Sequence, residues 1–219
     1  MTVTAAVESV RQRIAAAARR AGRDPSAITL IGVTKYVDIE GVLALVDAGL
    51  TDLGENHAQQ LRDRAPLLGD RGVRWHAIGP LQTNKARDVA RHADAFHALD
   101  RIEVAEALSR RRAVEDRPPL PCYVQVNLAG EASKAGLGED DLGAVLAAAS
   151  PLPGIEIVGL MTMPPLVADP EDNRRWFRRL AELGSQHGLV GLSMGTTVDF
   201  EVAVEEGATA VRVGAALQA

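Results

Sequence analysis

In the stretch LIGVTKYVD a lysine stands where an apolar run should end. Leu30, Ile31 and Val33 read as buried strand, and Asp38 reads as the cap of an amphipathic helix whose apolar residues are Ile39, Val42, Leu43 and Val46. Lys35 is thereby placed at the mouth of a strand, just before a turn. A primary amine in that position suits Schiff-base formation with an aldehyde or ketone. A lone lysine also reaches solvent readily, so its meaning depends on what shares its surroundings.

Two glycine-bearing segments near the C-terminus supply a complementary chemistry. SMGTT follows a short apolar run and precedes the helical pattern VDFEVAVEEGA, and RVGAA follows the last apolar run. Gly195 and Gly214 permit close backbone approach to an anion, while Ser193, Thr196 and Thr197 add hydroxyl donors. A reactive lysine beside a phosphate cradle points to a phosphorylated carbonyl compound. Two are open on this ground: pyridoxal 5′-phosphate (PLP), and a sugar phosphate handled by a lysine-dependent aldolase. Arg212 bears on the choice, because a charge inside the apolar run AVRVGAAL needs a partner. PLP sites place an Asp or Arg against the pyridine nitrogen. A salt bridge to a rim carboxylate is the structural alternative.

The elements that must position these groups are regular. Strand-like runs recur at ITLIGVTK, DLGEN, RWHAIG, AFHALD, PCYVQVNL, IEIVGLMTM, VGLSMGT and AVRVGAAL, with helical patterns between them. One helix carries Leu142, Val145, Leu146 and Ala149 on a face; another follows Asp169-Pro170 and carries Trp176, Leu180 and Leu183. Eight such units with an additional helix in front predict an α/β chain folded as a (β/α)8 TIM-type barrel with an extra N-terminal helix. No linker or composition break interrupts residues 1–219, so a single domain is expected. Barrel sites lie at the C-terminal strand ends, where Lys35, Asn56, His57, Gly79, Pro80, Met161, Ser193, Gly195 and Arg212 to Ala215 would meet.

Composition narrows the classes. A net charge of −5 argues against nucleic acid as the main partner, and no apolar run reaches the roughly 20 residues that span a membrane. The single cysteine, Cys122, precludes an internal disulfide and fits a reducing, cytoplasmic setting; it reads as a small buried hydrophobe. Val7, Val10, Ile14 and Ala17 share one face of an N-terminal helix that reads as packing structure and not as a targeting leader. The arginine clusters Arg19-Arg20 and Arg110 to Arg112 read as solvated helix faces. The five histidines and one cysteine show no metal-ligand spacing, so no metal is expected. His76, beside Trp75 in a strand, should face the opposite side from the tryptophan.

In order along the chain, GVTK, DLGENHAQQL, WHAIGPLQTNKAR, HALDR, GLMTMPP and LSMGTTVDFEVAVEEGATAVRVG resemble the pyridoxal phosphate homeostasis proteins, single barrels similar to the N-terminal domain of alanine racemase. The resemblance covers almost the whole chain. It implies that Lys35 is the Schiff-base lysine and that Ser193, Gly195, Gly214 and the backbone of Ala215 hold the phosphate, with Thr196 beside them. It also implies that Arg212 faces the pyridine nitrogen and that Asn56, His76 and Met161 line the cofactor. Three departures stand out: SMGTT in place of the usual SMGMS, Ala215 in place of a threonine, and His57 in place of a tyrosine.

The resemblance implies a cytosolic PLP-binding protein that affects vitamin B6 and amino-acid balance, with no catalytic residue assigned; a bare barrel would leave PLP open to solvent, which favours a carrier passing it transiently to apo-enzymes. A racemase pairs this barrel with a second domain that adds a catalytic base, and the 219 residues are expected to carry no such domain. An amino-acid racemase is the enzyme alternative, the aldolase the third. A monomer is expected.

Overall fold

Eight short apolar runs become eight parallel strands that pair in chain order until the last closes on the first. The computed structural model describes residues 2–131 and 134–218. The strands are β1 Thr29–Val33, β2 Asp52–Glu55, β3 Arg74–Ala77, β4 Ala95–Leu99, β5 Leu120–Gln125, β6 Ile155–Met161, β7 Gly191–Thr196 and β8 Ala210–Val213. Around them run α1 Val3–Arg20, α2 Ile39–Asp47, α3 Ala58–Arg64, α4 Ala86–His92, α5 Ile102–Arg112, α6 Glu139–Ala149, α7 Arg174–Gln186 and α8 Phe200–Glu205. This is a (β/α)8 barrel preceded by one extra helix, as the sequence rhythm predicts.

Register decides which side chains look inward, since residues paired in a parallel ladder share a face. Ile31 pairs with Arg212, Met161 with Ser193, and Gln125 with Met161. Tyr123 pairs with Gly159, which pairs with Gly191. That glycine row makes room for a ring. A Cβ on Gly191 would come within 2.9 Å of Tyr123 Cε1, and Tyr123 instead stacks on His97 with centroids 4.3 Å apart.

The helices bury what their periodicity selects, with three differences from the sequence reading. In α1, Thr2 accepts the N–H of Ala5, and Val7, Val10, Ile14 and Ala17 are all buried. Fully burying each of the two valines and the isoleucine contributes roughly 1.5–3 kcal/mol. In α2, Asp38 caps the N–H of Gly41 as expected, but Val42 and Leu45 form the buried pair and Ile39 is exposed. In α7, Phe177 and not Trp176 joins Leu180 and Leu183 in the core; a three-residue step aligns Phe177 with both, while Trp176 sits to one side under the guanidinium of Arg175. Arg112 is not solvated either. It is 2 % exposed and donates to the carbonyls of Ala90, Ala93 and Pro118, so it satisfies the C-terminal end of α4. Among the described residues no helix is long and apolar enough to cross a membrane.

Candidate functional site

The turn that carries Lys35 is held by its neighbours. Thr34 Oγ1 donates to Glu55 Oε1 at 2.5 Å, and Arg64 donates to Glu55, to the Thr34 carbonyl and to the Val37 carbonyl. Gln60 donates to the Lys35 carbonyl at 3.3 Å. Glu55 is fully buried, so Arg64 both neutralises it and uses it as an anchor. The Lys35 backbone is fixed while its side chain extends over the Tyr36 ring, with Nζ 4.7 Å from the centroid.

Two loops on the other side of the barrel mouth are tied to one another. Gly195 takes a φ of +92°, and a Cβ there would lie 2.6 Å from Ala203 Cβ and 2.9 Å from Phe200 Cα. Its lack of a side chain therefore lets α8 approach the end of β7. Asp199, buried at the start of α8, accepts from Thr196 N and Thr196 Oγ1, and Asn173 holds its other oxygen. Thr197 Oγ1 accepts the N–H of Gly214, joining the loop after β7 to the loop after β8. The N–H groups of Thr197 and Ala215, both beside the cavity, have no acceptor among the described residues.

Arg212 rises from β8 between these features. It is 4 % exposed and donates to Ser193 Oγ at 2.6 Å, to the Thr162 carbonyl at 3.0 Å and to Met163 Sδ at 3.0 Å. Burial lowers its pKa to about 10, against a partly compensating charge on Asp199, so it is still a cation at neutral pH. No carboxylate among the described residues forms an ion pair with it, so the salt-bridge alternative for Arg212 does not apply.

These elements surround a cavity of about 390 Å3 at the C-terminal mouth. Lys35, Asn56, Met161, Thr196, Arg212, Gly214 and Ala215 all line it. His76, Ser193 and Gly195 do not. Ser193 is fully buried beneath Arg212, with its hydroxyl between the guanidinium and His97, so it is not positioned to donate to a phosphate. His76 lies lower still, bonded to Asp52 and His97, and Gly195 faces α8. Trp75 and His76 are both buried, and register and bonding put His76 inside the barrel. Sequence reading did not single out Gln125, Tyr36 and Ile78, which also line the cavity. Gln125 ends β5, so the strand-end rule was signal enough for it.

Below the cavity the interior is polar. Asp52 Oδ1 meets His76 Nε2 at 2.9 Å, His76 Nδ1 meets His97 Nε2 at 2.9 Å, and His97 Nδ1 meets Ser193 Oγ at 2.8 Å. Burial, reinforced by the cation of Arg212, holds the His97 pKa well below the usual imidazole value. For Asp52 burial works the other way, but hydrogen bonds from His76, Arg74 and Thr51 outweigh it and lower the carboxyl to about 2. Elsewhere Cys122 is buried, and burial raises its thiol pKa; it is a core residue.

Comparison with known proteins agrees with this architecture. The family described as alanine racemase, N-terminal domain, matches residues 6–218, which defines the class of barrel. A Pseudomonas aeruginosa protein is 41% identical over 218 residues, covering 99% of this chain and 94% of its own length. An Escherichia coli K12 protein is 38% identical over 216 residues, covering 95% and 92%. Both are pyridoxal phosphate homeostasis proteins, and this chain belongs to that family. The structure of PipY from Synechococcus elongatus with PLP bound superposes with a TM-score of 0.84 at 32% identity, covering 100% of both chains.

Proposed function

We propose that this chain binds PLP at the barrel mouth as a Schiff base on Lys35 and serves as a carrier that buffers the cofactor or delivers it to apo-enzymes. The observation that carries this reading is the shared cavity: an amine and a buried guanidinium face one space, bordered by two tethered loops with unpaired backbone donors. The PLP-bound PipY supports it as a relative of the same fold.

The residues present fit the group. Thr197 and Ala215 offer free N–H donors suited to a phosphate, in loops that Thr197 and Asp199 brace. The hydroxyl that a threonine would supply at Ala215 is replaced here by backbone donation alone. Arg212 is a pure donor and suits a pyridine nitrogen that carries no proton. Met161 and Ile78 supply apolar walls, and Asn56 adds an amide. When bound, PLP supplies an aldehyde carbon that condenses with a primary amine, with loss of water. Lys35 provides that amine from a fixed backbone.

The carrier reading over a racemase rests on the lining. Lys35 and Tyr36 are its lining groups suited to moving a proton, and Tyr36 is 85% exposed. A racemase needs a positioned base on each face of the substrate carbon. We read residues 1–219 as one domain, acting as a monomer in the cytoplasm and influencing amino-acid balance through PLP supply. The test is borohydride reduction of the PLP-treated protein followed by peptide mass analysis, for wild type and Lys35→Ala. Cofactor mass on Lys35 in wild type alone supports the proposal. Absence of binding in both refutes it and favours a sugar phosphate.

A further inference from the structure

The polar groups inside the barrel form one line from its N-terminal end to the cavity. Asp52 opens β2, His76 lies in β3, His97 in β4, Ser193 in β7 and Arg212 in β8. All five are buried, and each successive pair is hydrogen-bonded at 2.6–2.9 Å. An apolar core would stabilise a barrel without this arrangement, and a buried polar group left unmatched costs roughly 1–3 kcal/mol.

We infer that Asp52, His76, His97 and Ser193 form an oriented proton chain that positions Arg212 for its ligand. The direction follows from counting donors. Arg212 can only donate, so Ser193 Oγ accepts from it. The Ser193 hydroxyl then donates to His97 Nδ1, His97 Nε2–H donates to His76 Nδ1, and His76 Nε2–H donates to Asp52, which only accepts when ionised. Every bond has one donor and one acceptor, and both imidazoles are Nε2–H tautomers. The reverse direction requires two protons on His76 and leaves the Ser193 hydroxyl proton without an acceptor among the described residues.

The surroundings favour the same direction. Arg74 donates to Asp52 and keeps that end negative, while Tyr123 stacks on His97 and offers it no charge. The cation of Arg212 terminates the other end, so the dipoles between them are aligned. Arg212 has one Nη1 bond to Ser193, with Nη2 bonded to Thr162 and Met163. Its long side chain is therefore ordered before a ligand arrives, which removes that cost from binding. Ser193, His97, His76 and Asp52 are positioning residues and do not themselves line the cavity.

One arm of the test is independent of any ligand; the other rests on the PLP reading above. Nitrogen-15 NMR of the histidine-labelled wild-type protein reports each imidazole tautomer directly. His76 and His97 should both carry their proton on Nε2, whereas an Nδ1–H tautomer at His97 overturns the chain even if PLP binds. In the second arm, Ser193→Ala is titrated with PLP and with its 1-deaza analogue, which lacks the ring nitrogen. PLP affinity should fall about tenfold and that of the analogue less than about twofold. Equal losses for the two ligands overturn the positioning role. Failure of wild type to bind either ligand refutes the PLP reading, and the tautomers still decide the chain.

Discussion

Thr197 Oγ1 accepts the backbone N–H of Gly214 at 3.0 Å, so one hydroxyl joins the loops after β7 and β8. Thr197→Val keeps the shape and removes the acceptor. PLP affinity measured by equilibrium titration should drop about three- to tenfold, with little change in thermal midpoint. An unchanged affinity would show that the strands alone set the spacing of the two loops.

Gly195 is under a tighter constraint. Its φ of +92° and the 2.6 Å approach of a built Cβ to Ala203 leave no room for a side chain. Gly195→Ala is expected to lower stability by roughly 1–3 kcal/mol, because either the backbone or α8 must shift. A urea denaturation curve with the wild-type midpoint would contradict this.

Arg112 should matter to folding and not to ligand binding. Replacing it with alanine leaves the carbonyls of Ala90, Ala93 and Pro118 without their buried donor. A loss of about 3 kcal/mol in denaturant stability is expected, with PLP affinity per folded molecule unchanged.

Asp52 gives the barrel an acid-labile element. Its carboxyl ionises at about 2 in the folded chain, below the ordinary value of 3.8, so the folded state favours the anion. That stability is complete above the ordinary carboxylate pKa and is lost as pH falls from about 4 toward about 2, where the unfolded chain binds the proton first. The contribution is on the order of 2 kcal/mol. In acid titrations followed by circular dichroism, Asp52→Asn should therefore lose stability less steeply over that window than wild type does.

Much of the frame can be read from sequence because apolar strands and capped helices leave local signatures. The run around Ile31 and the cap at Asp38 each required only their own neighbours, and Lys35 followed from where that strand ended. Ser193 shows the limit. Its motif places it near the mouth, but the stagger between strands decides depth, and pairing with Ala210, two residues before Arg212 on β8, sets it beneath that guanidinium. The same reasoning applies to His97, whose apolar neighbours carry no mark of the serine 96 residues away that binds it. Arg112 looked solvated because the carbonyls that need it belong to α4 and to Pro118, outside its own helix.

The clamp beneath Lys35 has a kinetic consequence. Arg64, Gln60 and Glu55 immobilise the peptide on either side of the lysine, while its side chain remains a short tether. An amine so confined competes for a nearby aldehyde at a local concentration that soluble amines cannot match. On the proposed reading, in which Lys35 captures the PLP aldehyde, each departure from the cavity faces rapid recapture, and the residence time is set partly by the stiffness of the turn that carries the lysine.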